Sequence, residues 1–146
     1  MKTKYILNLA NTKADDDIDI GTFILYFNEG ISFINMYKGY KFKDIDVSKN
    51  GEELNQEYEV SKEQYINLAF QKLMATYVAY YIKKVDGYVD NTNPFYLELL
   101  TMLSSFNDKY RHLINDDLKD NSYQSENTNT KEVNSIFRLM RGVKWY

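Results

Sequence analysis

The sequence predicts an α+β domain: an antiparallel β-meander of four to five strands over residues 1–60, then about three α-helices packed on one face of it. Three observations predict it. Aromatic and β-branched residues crowd the first part of the chain. Two glycine-bearing turn signals, Asn28-Glu-Gly30 and Lys49-Asn-Gly51, divide that part into hairpin-like pieces. After Ser61 the hydrophobic period changes to that of a helix. Strands followed by helices argue for a sheet with the helices segregated on one side. The 146 residues suit a single domain, because domains cluster at about 100–150 residues.

The elements follow in order. Tyr5 to Leu9 is a short apolar run, and Asn11 to Asp19 reads as a polar loop. Ile20 to Phe27 is apolar on both alternating faces. A strand of that kind is central and covered on both sides. Asn28-Glu-Gly30 turns the chain, and Ile31 to Tyr37 returns beside the first strand. Tyr40 to Val47 alternates in part, and Leu54 to Val60 comes back after Gly51 as an outer strand.

Ser61-Lys-Glu-Gln64 fits a capping box and opens a helix over about 62–85. Ile66, Phe70, Leu73, Tyr77 and Tyr80 recur at helical spacing, and Leu68, Met74 and Val78 widen the stripe. A stripe that broad predicts burial on more than one side. Asn93-Pro94 starts a second helix, which runs to about Leu113. Residues 115–130 are almost wholly polar and read as a long mobile loop. A short helix over 131–141 follows, with Val133, Ile136, Phe137 and Met140 on its apolar side.

Composition narrows the function. The chain has no cysteine, which excludes a disulfide scaffold, a thiolate zinc site and a thiol nucleophile. That fits a reducing cytoplasm. The N-terminal apolar stretch is too short for a secretory leader. No window holds the roughly 18 apolar residues of a membrane span. A soluble, cytoplasmic protein is expected. The net charge of −3 gives no strong pull toward nucleic acid or membrane.

The catalytic inventory is thin. His112 is the single histidine, near the end of a predicted helix, where it complements the helix dipole. The glycines are too scattered for a phosphate cradle. Asp15, Asp17 and Asp19 share the spacing of the first ligands of an EF-hand loop. Ile20 and Tyr26 then stand where that loop needs Gly and Glu. A solvated acidic loop is the plainer reading, and a weak metal site the sharper one. Asp116, Asp117 and Asp120 form a second acidic cluster, read as solubilising. No cofactor is expected.

Two basic-aromatic stretches suggest binding. In Tyr37, Lys38, Tyr40, Lys41, Phe42 and Lys43, an extended backbone puts the later lysines on one face and the rings on the other. Rings that stack on bases and lysines on phosphates would make a single-strand binder. An ordinary edge strand has the same pattern. At the C-terminus, Arg138, Arg141, Lys144, Trp145 and Tyr146 have the composition of an interface hot spot. Packing of Trp145 into the core is the alternative there. Tyr77, Tyr80, Tyr81 and Tyr88 gather at the end of the long helix, where tyrosines line grooves or core edges.

The 14 tyrosines and single proline sit in a residue usage that favours AT-rich codons. In style the sequence is similar to small accessory proteins of phages and mobile elements in low-GC bacteria. Inhibitors of host enzymes and immune systems, anti-CRISPR proteins among them, are of this kind. The expected function is a non-enzymatic protein-binding module that inhibits a host protein or defence system. The alternatives are a nucleic-acid binder using residues 37–43 and a carboxylate- or metal-dependent enzyme using Asp15 to Asp19. A homodimer is a further expectation, because helix 62–85 is apolar beyond what one sheet covers.

Overall fold

A computed structural model of the chain describes residues 2–46, 54 and 56–120. Among these residues the fold is helical, with four α-helices and no β-strand. The predicted β-meander is therefore overturned, and with it the α+β class. We label the helices α1 (Thr3–Ala14), α2 (Ile20–Lys38), α3 (Gln64–Val85) and α4 (Tyr96–Tyr110).

The correction has a clear cause in α1 and α2. Thr3, Ile6, Ala10 and Ala14 are the buried positions of α1. Their spacing is helical, but the polar residues between them resembled a loop. In α2, Phe23, Ile24, Phe27, Gly30, Ile31 and Ile34 are buried. Those positions also follow the helical period. Further apolar residues on the opposite side masked that period, so the segment imitated a doubly covered strand. Gly30 lies inside α2 and turns nothing. The real stop is Gly39, in the left-handed region at φ 69°, whose N–H reaches the Asn35 carbonyl at 2.9 Å. At the other end the Asp19 side chain accepts the Thr22 N–H at 2.7 Å.

Helix α3 lies where the sequence puts a helix, and it is the centre of the fold. Helices α1, α2 and α4 each pack against it. Every residue from Leu73 to Tyr80 is buried, which is the all-round burial that the wide stripe predicts. The expected capping box is replaced. The Ser61 hydroxyl accepts the Glu63 N–H and donates to the Leu113 carbonyl. Helix α4 runs antiparallel to α3, with Tyr110 beside Tyr65 and Tyr96 beside Tyr80.

Residues 40–46 and 56–60 are extended and cover what the helices leave open. Tyr40, Phe42, Ile45, Leu54, Tyr58 and Val60 are buried. Phe42 meets the Phe70 ring edge-on at 4.9 Å, and Tyr58 stacks on Phe70 at 5.7 Å. These segments have the in-out alternation of strands, yet they pair mainly with side chains. Asn35 of α2 donates to the Phe42 carbonyl and accepts from the Phe42 N–H, both at 3.0 Å. Asn28 holds Ile45 in the same two-way manner, at 3.3 Å and 2.8 Å. Asn67 accepts from Val60 and Ser61 and donates to the Ser61 carbonyl. Asn11 clasps Ile18 likewise. A side-chain amide carries one donor side and one acceptor, as a peptide group does. It satisfies buried backbone that a neighbouring strand would otherwise have to satisfy.

Of the polar stretch 115–130, residues 115–120 are described. The Asn115 N–H reaches the Val60 carbonyl at 3.0 Å, Leu118 is buried, and Lys119 forms an isolated bridge with Tyr40. Arg111 fastens this join by donating to the Lys38 and Gly39 carbonyls at the end of α2, with its guanidinium 4.8 Å above the Tyr40 ring. The second turn signal at 49–51, the rest of the polar stretch and the predicted helix 131–141 lie outside the described residues.

Candidate partner-binding surface

Two surfaces stand out, and α3 contributes to both. The first is built on α2. This helix packs against α3, and the two helices approach closely at Gly30. A Cβ at that position would stand 2.6 Å from Cδ1 of Tyr77 and 2.9 Å from Cε of Met74. The absent side chain lets the Tyr77 ring lie across α2. A chain of rings follows from that contact. Phe33 touches Tyr37 and Tyr77, at 5.3 Å and 5.6 Å, and Tyr26 meets Tyr81 at 4.7 Å. Lys84 lies 5.9 Å from the rings of both Tyr80 and Tyr81.

Beyond this seam the exposed positions of α2 mix Leu25, Met36 and Tyr37 with Gly21, Glu29 and Ser32. Met36 is 85% exposed, Leu25 66% and Tyr37 52%. Leu25 and Met36 are eleven positions apart, which returns to the same side of a helix after about three turns. The sequence signal for this surface is the two-sided apolarity of residues 20–27, which predicts cover on both faces. Among the described residues Leu25 is left exposed.

The second surface is a groove of about 280 Å³ between α3 and α4. Its lining includes Ala69, Leu73, Met102, Phe106 and Tyr110, with Lys72 on the α3 bank and Lys109 on the α4 bank. Among the described residues no carboxylate lines it. Tyr65 and Leu68, on the exposed side of α3, are about half exposed. The residue pattern of a helix pair foretells such a groove only once the pairing is known, so it was not legible beforehand.

The predicted sites fall elsewhere. Asp15 ends α1 in the left-handed region at φ 53°, and Asp19 caps α2. Hydrogen bonding from Thr22 holds the Asp19 carboxyl below its ordinary pKa. Asp17 lies between them, its N–H donating to Asp16. The flanks of this acidic run are helices, not the predicted strands. Among the described residues no group of three or more His, Cys, Asp or Glu is placed to hold a metal ion. The run punctuates two helices.

Of the proposed nucleic-acid residues, Tyr37 and Lys38 end α2 and Lys41 and Lys43 are exposed. Tyr40 and Phe42 are buried and stacked on each other at 4.5 Å. The Tyr40 hydroxyl donates to Asn107 at 2.7 Å. Rings so engaged offer no face to a base. Arg138, Arg141, Lys144, Trp145 and Tyr146 lie outside the described residues.

His112 is exposed in the 3-10 turn Arg111–Leu113 that follows α4. Asp116 pairs with Lys119 at 3.2 Å. Among the tyrosines of the long helix, Tyr77 and Tyr80 are buried, Tyr81 is half-buried and Tyr88 is exposed. Burial pushes the hydroxyl pKa of Tyr77 and Tyr80 well up, as it does for Tyr58. They serve as neutral packing groups. No described helix is long and apolar enough to cross a membrane. No protein-family model matches the chain, and no curated protein and no solved structure matches it.

Proposed function

We propose that the protein is a non-enzymatic binding module that holds a partner protein on the outer face of α2. One observation carries the reading: Leu25 and Met36 project into solvent from a helix whose other sides pack on α3 and on the extended residues 40–46. Large apolar side chains exposed beside polar ones, as Leu25 and Met36 are beside Glu29 and Ser32, are a feature of interaction sites. Methionine adapts its shape to a partner surface, and the neighbouring tyrosines bring large contact area at low entropic cost. The residue usage agrees with an origin in a phage or mobile element of a low-GC bacterium. The partner is then a host protein or defence complex, and binding inhibits it.

The test places a photo-crosslinking residue at Met36 and, separately, at exposed Asp117, with expression in the bacterial host. The reading expects one stoichiometric adduct from position 36 and none from 117. Leu25→Glu should abolish it without changing the melting curve, because that side chain leaves the core intact. Equal labelling from both positions, or an adduct indifferent to Leu25→Glu, would remove α2 as the docking face. An adduct of twice the chain's own mass would make the partner a second copy.

A further inference from the structure

We propose that the groove between α3 and α4 is a second docking site, beyond the α2 face, and that its occupant is an amphipathic helix with acidic flanks from another protein. The floor is mostly apolar: Ala69, Met102 and Tyr110 line it above the buried Leu73 and Phe106, with Thr101 and Ser105 on the α4 side. Helix-in-groove recognition uses such strips, read by anchors at i, i+3, i+4 and i+7. Charge selects the occupant. The chain carries a net −3, yet among the described residues the only charged ones lining this groove are Lys72 and Lys109, one on each bank. No described carboxylate forms an ion pair with either ammonium. Asp108 lines the adjoining hollow on α4 and not the groove.

One lysine on each helix beside an apolar floor favours a ligand with carboxylates on both edges and disfavours a basic one. The chain's own last stretch, 131–146, is the wrong ligand by this criterion. It holds Lys131, Arg138, Arg141 and Lys144 against Glu132 alone.

The test uses the full-length protein and a fluorescent synthetic helix of about 18 residues, which spans about 27 Å. Its apolar face carries leucines and its flanks carry glutamates. A second peptide replaces each glutamate with lysine. Fluorescence anisotropy is expected to show saturable one-to-one binding of the acidic peptide. The basic peptide should bind about tenfold more weakly or less, given two exposed pairs turned from attraction to repulsion. Lys72→Glu with Lys109→Glu, both at exposed positions, should leave the melting curve unchanged and invert that preference. Leu25→Glu on α2 should leave peptide binding unaffected, which separates this site from the first. Equal affinity for the two peptides would overturn the proposal, as would no binding of either at about 1 mM, or an unchanged preference in the folded double variant. Self-association that the double variant abolishes would assign the groove to a second copy and overturn it likewise.

Discussion

Asn35→Asp is a nearly isosteric change that tests whether side-chain amides stand in for a β-sheet. Asn35 bonds Phe42 in both directions at 3.0 Å. Aspartate keeps the acceptor that takes the Phe42 N–H. It loses the donor and turns a carboxylate oxygen toward the Phe42 carbonyl. A carbonyl left unsatisfied in a partly buried place costs about 1–3 kcal/mol. For a chain of this size that lowers the melting temperature by about 3–10 °C.

The variant also carries an internal check. Protonated aspartate is again a donor, so the neutral form restores both bonds. The folded state then binds the proton more tightly than the unfolded state, and the folded pKa of the new carboxyl rises. Its contribution is full below the unfolded pKa of about 3.9 and is lost as pH rises through the folded pKa. Melts of wild type and variant, followed by far-ultraviolet circular dichroism, should therefore converge toward pH 4 and separate toward pH 7. A constant gap across that range would refute the reasoning, and so would no gap at pH 7. Asn28→Asp should behave alike but more mildly, because its amide stands farther from its carbonyl, at 3.3 Å from Ile45.

Three further outcomes follow from the packing. Gly30→Ala forces a methyl into the space of Tyr77 and Met74 and should destabilise by about 1–3 kcal/mol in urea unfolding. Gly21→Ala, whose Cβ would meet nothing nearer than Asp19 Oδ1 at 3.6 Å, should stabilise by about 0.5–1 kcal/mol; the reverse order would contradict the α2–α3 crossing. Arg111→Lys keeps the charge but loses the two-carbonyl grip on α2 and the planar contact with Tyr40, and should cost about 1–3 kcal/mol. Tyr58, Tyr77 and Tyr80 have raised hydroxyl pKa values through burial. Their stabilising contribution is complete below the unfolded tyrosine pKa of about 10 and fades as pH rises past it. An ultraviolet titration should show these tyrosinates forming together with unfolding, not before it.

The helical half of the described fold was legible because α3 and α4 each carry a sustained period with turn signals beyond their ends. In the first half, two local signals were right about backbone and wrong about partners. The alternation of Tyr40, Lys41, Phe42 and Lys43 does mark an extended segment with buried rings. Nothing in that alternation says whether its peptide groups face a strand or Asn35 and Asn28, because those partners come from a helix that had not been recognised. In α2 the two-sided apolarity hid the helical period, and Asn28-Glu-Gly30 supplied a turn signature that the helix overrides. Glycine there answers to the Tyr77 ring, a tertiary need that no local pattern expresses. The acidic run shows the same effect in reverse. Its carboxylates looked like ligands and turn out to end one helix and begin another.

The exposed face of α2 cannot be dismissed as slack that the fold would take up. Around this helix, four kinds of position follow one another: the core residues from Phe23 to Ile34, the latching amides of Asn28 and Asn35, the solvent face of Leu25 and Met36, and the seam of Tyr26 and Phe33 against α3. Burying Leu25 and Met36 by rolling α2 would gain about 1.5–3 kcal/mol for each. The same roll would bring the fully buried Phe23, Phe27, Ile31 and Ile34 toward water and so lose more than it gains by the same measure. It would also tear both amides from Ile45 and Phe42 and move Gly30 from the one place where Tyr77 needs it. The helix is locked on both edges with Leu25 and Met36 outward. The packing thus holds Leu25 and Met36 in water among the described residues rather than leaving them there by default.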